Sequence, residues 1–158
     1  MKNMGLYFEI PNEYGKYLSD ILEPIPFGEY QWLIDNDEIH LLENNEFTNE
    51  FLFKEEDRII SGERLYNSAK TNNYYMIFVT LRAFFKNGDV QPVSSYREFL
   101  ESDCEIVLEV DDCSYVMFWC KDNQLILNMY NYALSKGYEN IEYISEKDLT
   151  EKKYIINR

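Results

Sequence analysis

The sequence predicts an α+β fold, a mixed, mostly antiparallel sheet with helices packed on it in a single domain. Three observations carry this. Short strand-like stretches are interrupted by helical patterns, so the two kinds of element are interleaved along the chain. Turn residues such as Asp35-Asn36-Asp37 and Asn44-Asn45 separate neighbouring strand patterns and imply hairpins. Tyr74 to Phe85 (YYMIFVTLRAFF) is almost continuously apolar, aromatic and β-branched, the pattern of a central strand covered on both faces.

Gly5 to Ile10 alternates apolar and polar residues and reads as a strand closed by Pro11. Asn12 offers an N-cap, Glu13 suits the positive end of a helix dipole, and Pro24 ends the helix. Tyr14, Tyr17, Leu18, Ile21 and Leu22 fall on one stripe that packs on a sheet. Tyr30 to Ile34 and Glu38 to Leu42 read as a hairpin turning at Asp35-Asn36-Asp37, and Asn44-Asn45 turns into a third short strand over Phe47 to Phe53. Ser61 caps a helix from Gly62 to Lys70 with Leu65, Tyr66 and Ala69 on its inner side. Tyr74 to Leu81 is then expected at the centre of the sheet, with strands on both edges, because its bulky residues leave no polar side for water.

Lys86-Asn87-Gly88-Asp89 is a turn, and Ser95-Tyr96-Arg97-Glu98 matches a capping box opening a short helix through Leu100. Cys104 to Asp111 and Ser114 to Cys120 read as antiparallel strands around Asp112-Cys113. Asp122 caps the last large helix and Gly137 ends it; Leu125 to Leu134 is apolar on most sides and is expected to be well buried. Ile141 to Ile144 returns as a strand.

A chain of 158 residues with 46% hydrophobic content fits one domain over residues 1–158 and fills a core. The start meets Glu9, Glu13 and Lys16 too early for a signal peptide, and the longest apolar run, Tyr74 to Val79, is too short to span a bilayer. Cys104, Cys113 and Cys120 are an odd number without a C-x-x-C pair, which fits buried, reduced thiols rather than disulfides or zinc. A cytoplasmic location with no membrane partner is the expectation.

The formal net charge is −14 and unevenly spread. Met1 to Asp57 carries 14 carboxylates against three lysines, Arg58 to Leu100 is net +3, and Glu101 to Arg158 is net −6. Such a field repels nucleic acid and anionic membrane and speeds encounter with cationic partners or metal ions. Direct nucleic-acid binding is therefore not expected.

Catalytic motifs are absent. The single histidine, His40, lies between Ile39 and Leu41 in a strand pattern with no nucleophile signature, and reads as a structural histidine. All six glycines are isolated, so neither a phosphate loop nor a dinucleotide turn can form, and no cofactor is implied. Strand alternation places Asp103, Glu105, Glu109 and Asp111 on one face, where they are candidates for a divalent ion. The preferred reading of these four is the wet face of a half-buried strand.

Asp35 to Asp57 holds nine carboxylates and one base, Lys54, interleaved with Phe47, Phe51, Leu52 and Phe53. Aromatic anchors among acids suit recognition of a basic protein partner. The candidate partner-binding residues are Asp35, Asp37, Glu38, Glu43, Glu46, Glu50, Glu55 and Glu56. A solvated face with ordinary core aromatics fits the same pattern. Arg58, Arg64, Arg82 and Arg97 lie in the mildly basic middle and can offset the acid as structural ion pairs.

Phe8 to Tyr14 (FEIPNEY), Tyr96 to Leu100 (YREFL) with Cys104, Cys120-Lys121-Asp122, and Gly137 to Ile141 (GYENI) together resemble a small bacterial family of unknown function along nearly the whole chain. These are cap and turn motifs and carry no site; the resemblance implies a soluble single-domain bacterial protein without an assigned activity. The sequence thus favours a small acidic cytoplasmic binding protein that neutralises or regulates a basic partner, as immunity and inhibitor proteins do. Its alternatives are a carboxylate-based, divalent-cation-dependent enzyme or sensor, and a structural or assembly module. The sequence leaves the oligomeric state open.

Overall fold

The computed structural model describes residues 3–152. The chain runs β1 (Asn3–Glu9), α1 (Tyr17–Leu22), a 3-10 turn (Phe27–Glu29), β2 (Tyr30–Glu43), β3 (Glu46–Phe51), β4 (Ile59–Ser61), α2 (Gly62–Thr71) and β5 (Tyr74–Phe85). It continues through α3 (Tyr96–Glu101), β6 (Cys104–Asp111), β7 (Tyr115–Cys120), α4 (Asn123–Ser135), β8 (Glu139–Ser145) and α5 (Glu146–Lys152). All eight strands join one sheet in the order β3-β2-β5-β6-β7-β1-β8, with β4 also on β2. Every pairing is antiparallel.

The tight turns explain much of this order. Asn44 and Asn45 have φ of 55° and 62°, and Asp112 and Cys113 have 46° and 70°. Two successive positive φ values give the turn whose twist matches paired strands, and Asn and Asp tolerate them. These residues therefore close the β2–β3 and β6–β7 hairpins at the positions the sequence marks.

As expected, β5 is a central strand, flanked by β2 and β6. One sheet face carries α1, α2 and α4, whose Leu18, Ile21, Leu65, Ala69, Ile126 and Met129 pack on Leu6, Phe8, Trp32, Leu81 and Phe118. The other face carries a smaller core in which Tyr96 and Phe99 of α3 and Leu149 of α5 cover Met4, Phe84, Val107, Trp119 and Ile144. Burial of apolar area at roughly 25 cal/mol per Å2 makes both faces stabilising.

Several expectations are corrected. The hairpin at Asp35-Asn36-Asp37 is instead a bulge inside one continuous strand, β2. Asn36 takes φ 44° and the register with β5 shifts between Asp35 and Glu38, so the chain absorbs an extra residue and keeps pairing. The first helix begins at Tyr17 rather than after Asn12. Gly15 exchanges two 3.1 Å backbone hydrogen bonds with Tyr74, which hold that segment extended. The Tyr74 hydroxyl then accepts from Leu18 N at 3.1 Å and donates to Ala69 O at 2.8 Å, tying α1 to the end of α2.

β6 is not half-buried: Val107 is fully covered and Glu109 is 8% exposed, opposite fully covered Ile106 and Leu108. α4 is two-sided, with Leu125, Ile126, Met129 and Ala133 inward but Leu127 and Leu134 exposed. Cys113 is only partly buried, unlike Cys104 and Cys120, and all three thiols are free. The three-residue β4 and the helix α5 lie outside the sequence reading.

Candidate functional site

The nine carboxylates of Asp35 to Asp57 separate into two groups once the fold is formed. Asp35 meets Arg82 at 3.2 Å, Asp37 meets Arg58 at 2.7 Å, Glu38 meets His40 at 2.8 Å, and Asp57 meets Arg64 at 3.2 Å. With Arg97 on Glu101, all four arginines of the basic middle are in ion pairs, as their sequence setting implies. Among the described residues, Glu43, Glu46, Glu50, Glu55 and Glu56 form no ion pair. All five are exposed.

Arg58 organises the segment. It donates to Asp37 and to the carbonyl of Lys54 at 2.7 Å, while its own carbonyl accepts from Ile34 N at 2.7 Å. Leu52 N donates to Ile39 O at 2.9 Å, so the chain between β3 and β4 is pinned against the edge of β2 at both ends of the bulge. Between the pinned points lies an open hollow of about 1420 Å3. Asp37, Glu38, Glu50, Glu55 and Glu56 line it against two cations, Lys54 and Arg58. Of the candidate partner-binding residues, these five are brought together. Glu43 and Glu46 face each other at the hairpin end, a like-charge pair that costs stability. Asp35 is drawn away to the buried Arg82.

Beside the hollow runs a row of rings. Ile39 and Met76 point into the larger core, so their neighbours Glu38, His40 and Tyr75 point to the opposite sheet face. His40 pairs with Tyr75 on β5 and with Phe51 on β3, which lines the three side chains up across the strands. The His40 ring stacks on Phe47 at 4.9 Å and lies 5.0 Å from Phe51. Phe47 is 5.9 Å from both Tyr75 and Tyr14, and Tyr14 meets Tyr75 edge-on at 5.5 Å. Phe47, Phe51 and Tyr14 are each about half exposed, at 51%, 49% and 49%. Phe53, by contrast, is a core residue, and Leu52 packs against that core.

Tyr14, His40 and Tyr75 are absent from the sequence-derived candidates. Strand parity joins His40 to the face of Phe47 and Phe51, whereas Tyr14 has the spacing of a helix stripe that forms only from Tyr17 onward. The Tyr75 hydroxyl donates to Asn12 at 2.6 Å and lies 3.2 Å from the Cys113 sulfur.

The second set of candidates is not assembled. Glu109 is buried, with Thr80 Oγ1 donating to it at 3.5 Å, while the Asp103 carboxylate accepts from the Asp89 backbone at 2.8 Å. Glu105 is half-buried and Asp111 exposed at the far end of β6. Among the described residues no three His, Cys, Asp or Glu side chains are placed to hold a metal ion. No helix among them is long and apolar enough to cross a membrane.

Comparison with known proteins agrees with the resemblance seen in the cap and turn motifs. The family described as "Protein of unknown function (DUF2691)" matches residues 3–155. The chain is 38% identical over 148 residues to the uncharacterized protein YncE of Bacillus subtilis (strain 168), covering 94% of this chain and 95% of the relative. No solved structure matches.

Proposed function

The chain belongs to the DUF2691 family of proteins of unknown function, and from that premise we propose that it is a small acidic binding protein that neutralises or regulates a basic protein partner. The observation that carries this reading is the sorting of charge in one segment. Three acids are paired with Arg82, Arg58 and Arg64 and Glu38 is hydrogen-bonded to His40, while five glutamates stay unpaired, three of which, Glu50, Glu55 and Glu56, line a hollow beside exposed Phe51. Unpaired carboxylates raise the encounter rate with a cation, and exposed rings supply contact energy once docked. A cytoplasmic setting fits the three free thiols.

Parallel pull-downs from a bacterial lysate test the reading, with the native chain and the variant E46K/E50K/E55K as baits. A basic protein retained by the native chain and lost by the variant is the expected result. Exposed charges contribute only about 0 to 1 kcal/mol each, so the variant should unfold at nearly the native temperature. A partner held equally by both baits removes the segment from the account.

A second reading has one observation in its favour. Leu127 and Leu134 of α4 are 43% and 54% exposed, and a hollow of about 290 Å3 lies between Leu127 and Tyr143. That surface suits an assembly module, and sedimentation of the purified chain over a concentration series distinguishes a monomer from an oligomer.

A further inference from the structure

Resting on the reading above, we propose that the ring row Phe51, His40, Phe47, Tyr75 and Tyr14 is a docking surface for arginine side chains of the basic partner, and that it selects arginine over lysine. The row lies on a sheet face that no described helix covers at this end, since α3 and α5 sit over Trp119, Phe84 and Ile144 instead. Five rings in contact at 4.9 to 5.9 Å make a continuous π surface rather than scattered exposed side chains. A purely apolar occupant would meet an unfavourable border, because Glu38 touches His40 and Phe51 lines the hollow together with Glu38, Glu50, Glu55 and Glu56. Charge complementarity therefore points to a cation.

Among cations, the planar guanidinium suits both halves of the site. It stacks flat on an aromatic face while its edge donates to a carboxylate in two parallel hydrogen bonds. It is also more weakly hydrated than an ammonium, so less is lost when it leaves water for the ring surface. A lysine would feel the same acidic field and gain less from the rings. The five unpaired glutamates would then set how fast a basic segment arrives, and the ring row would set which basic residue it holds.

Nona-arginine and nona-lysine, equal in charge, separate these roles by titration calorimetry at low and high salt. The native chain is expected to bind nona-arginine about 10-fold more tightly than nona-lysine. In F47L/F51L, which keeps apolar area but removes two exposed rings, the ratio should fall to within about 2-fold, with nona-arginine losing much more affinity than nona-lysine. The single variant F51L leaves the Phe47–His40 stack in place and should give an intermediate ratio, which keeps the test informative if the double variant folds poorly. E46K/E50K/E55K should weaken both peptides alike. Equal affinities for the two peptides in the native chain, or an arginine preference that survives F47L/F51L, would overturn this inference and leave the acidic-surface reading standing. That reading fails separately, if both peptides bind the triple variant as well as the native chain.

Discussion

Tyr74 joins three elements through one hydroxyl. It accepts from Leu18 N and Ser19 N at the start of α1 and donates to Ala69 O near the end of α2. Lys16 caps α1 without a side-chain hydrogen bond, so the phenol supplies what the local sequence lacks. Replacing Tyr74 by Phe removes the hydroxyl that Leu18 N donates to, while Ser19 N keeps its 3.1 Å bond to Lys16 O, and urea unfolding should show a loss of about 1 to 3 kcal/mol. A loss within the error of the measurement would mean that the hydroxyl is dispensable. The sequence places Tyr74 in the central strand, but its α1 contacts lie 55 and 56 residues away and leave no local pattern. The same limit applies to the acids. Asp37 and Glu50 look alike in sequence, and only the arrival of Arg58, 21 residues on, makes one a structural partner and leaves the other free.

Elements were legible where the deciding chemistry is local. Ser61 accepts from Arg64 N, Asp122 from Gln124 N and Leu125 N, and Ser95 from Glu98 N, each as the cap patterns imply. The asparagine pair at Asn44-Asn45 and the Asp112-Cys113 pair set their turns by positive φ alone. Sequence pattern and structure part where tertiary pairing chooses between two local options. Asp35-Asn36-Asp37 has turn residues, yet twelve-residue β5 offers partners on both sides of it, and a bulge costs less than abandoning half of those pairs. The stretch after Asn12 has helical spacing, yet pairing of Gly15 with Tyr74 holds it extended and frees Tyr14 for the ring row. β4 is three residues long and α5 is rich in Glu and Lys, so neither shows a period that sequence reading can detect.

At the scale of the whole molecule, the fold buries phenols and thiols inside an acidic shell. Burial pushes Tyr30, Tyr96 and Tyr132 up to about 12, and moves the Cys104 and Cys120 thiols to about 12 as well. Tyr74 and Tyr138 are raised for the same reason. In the unfolded chain these groups ionise near their ordinary values, about 8.5 for Cys and 10 for Tyr. Between those values and about 12 the unfolded chain binds fewer protons than the native one, so stability falls as pH rises. Their contribution is fully present below the unfolded values and is lost on passing upward through the folded ones. Urea midpoints should be level from pH 7 to 8 and drop steadily from pH 9 to 11; a level midpoint at pH 11 would contradict this burial. The charge excess of the chain acts in the same direction, since like charges on a compact body repel.

The proposed docking surface for a basic partner is the acid-rich hairpin with its ring row, rather than the other acidic stretches. Backbone amide shifts of the labelled chain during a nona-arginine titration report this position by position. Salt-sensitive shifts concentrated between residues 36 and 58, together with Tyr14 and Tyr75, are expected. Shifts spread equally over the acids of β6 and β8, or centred there, would contradict it.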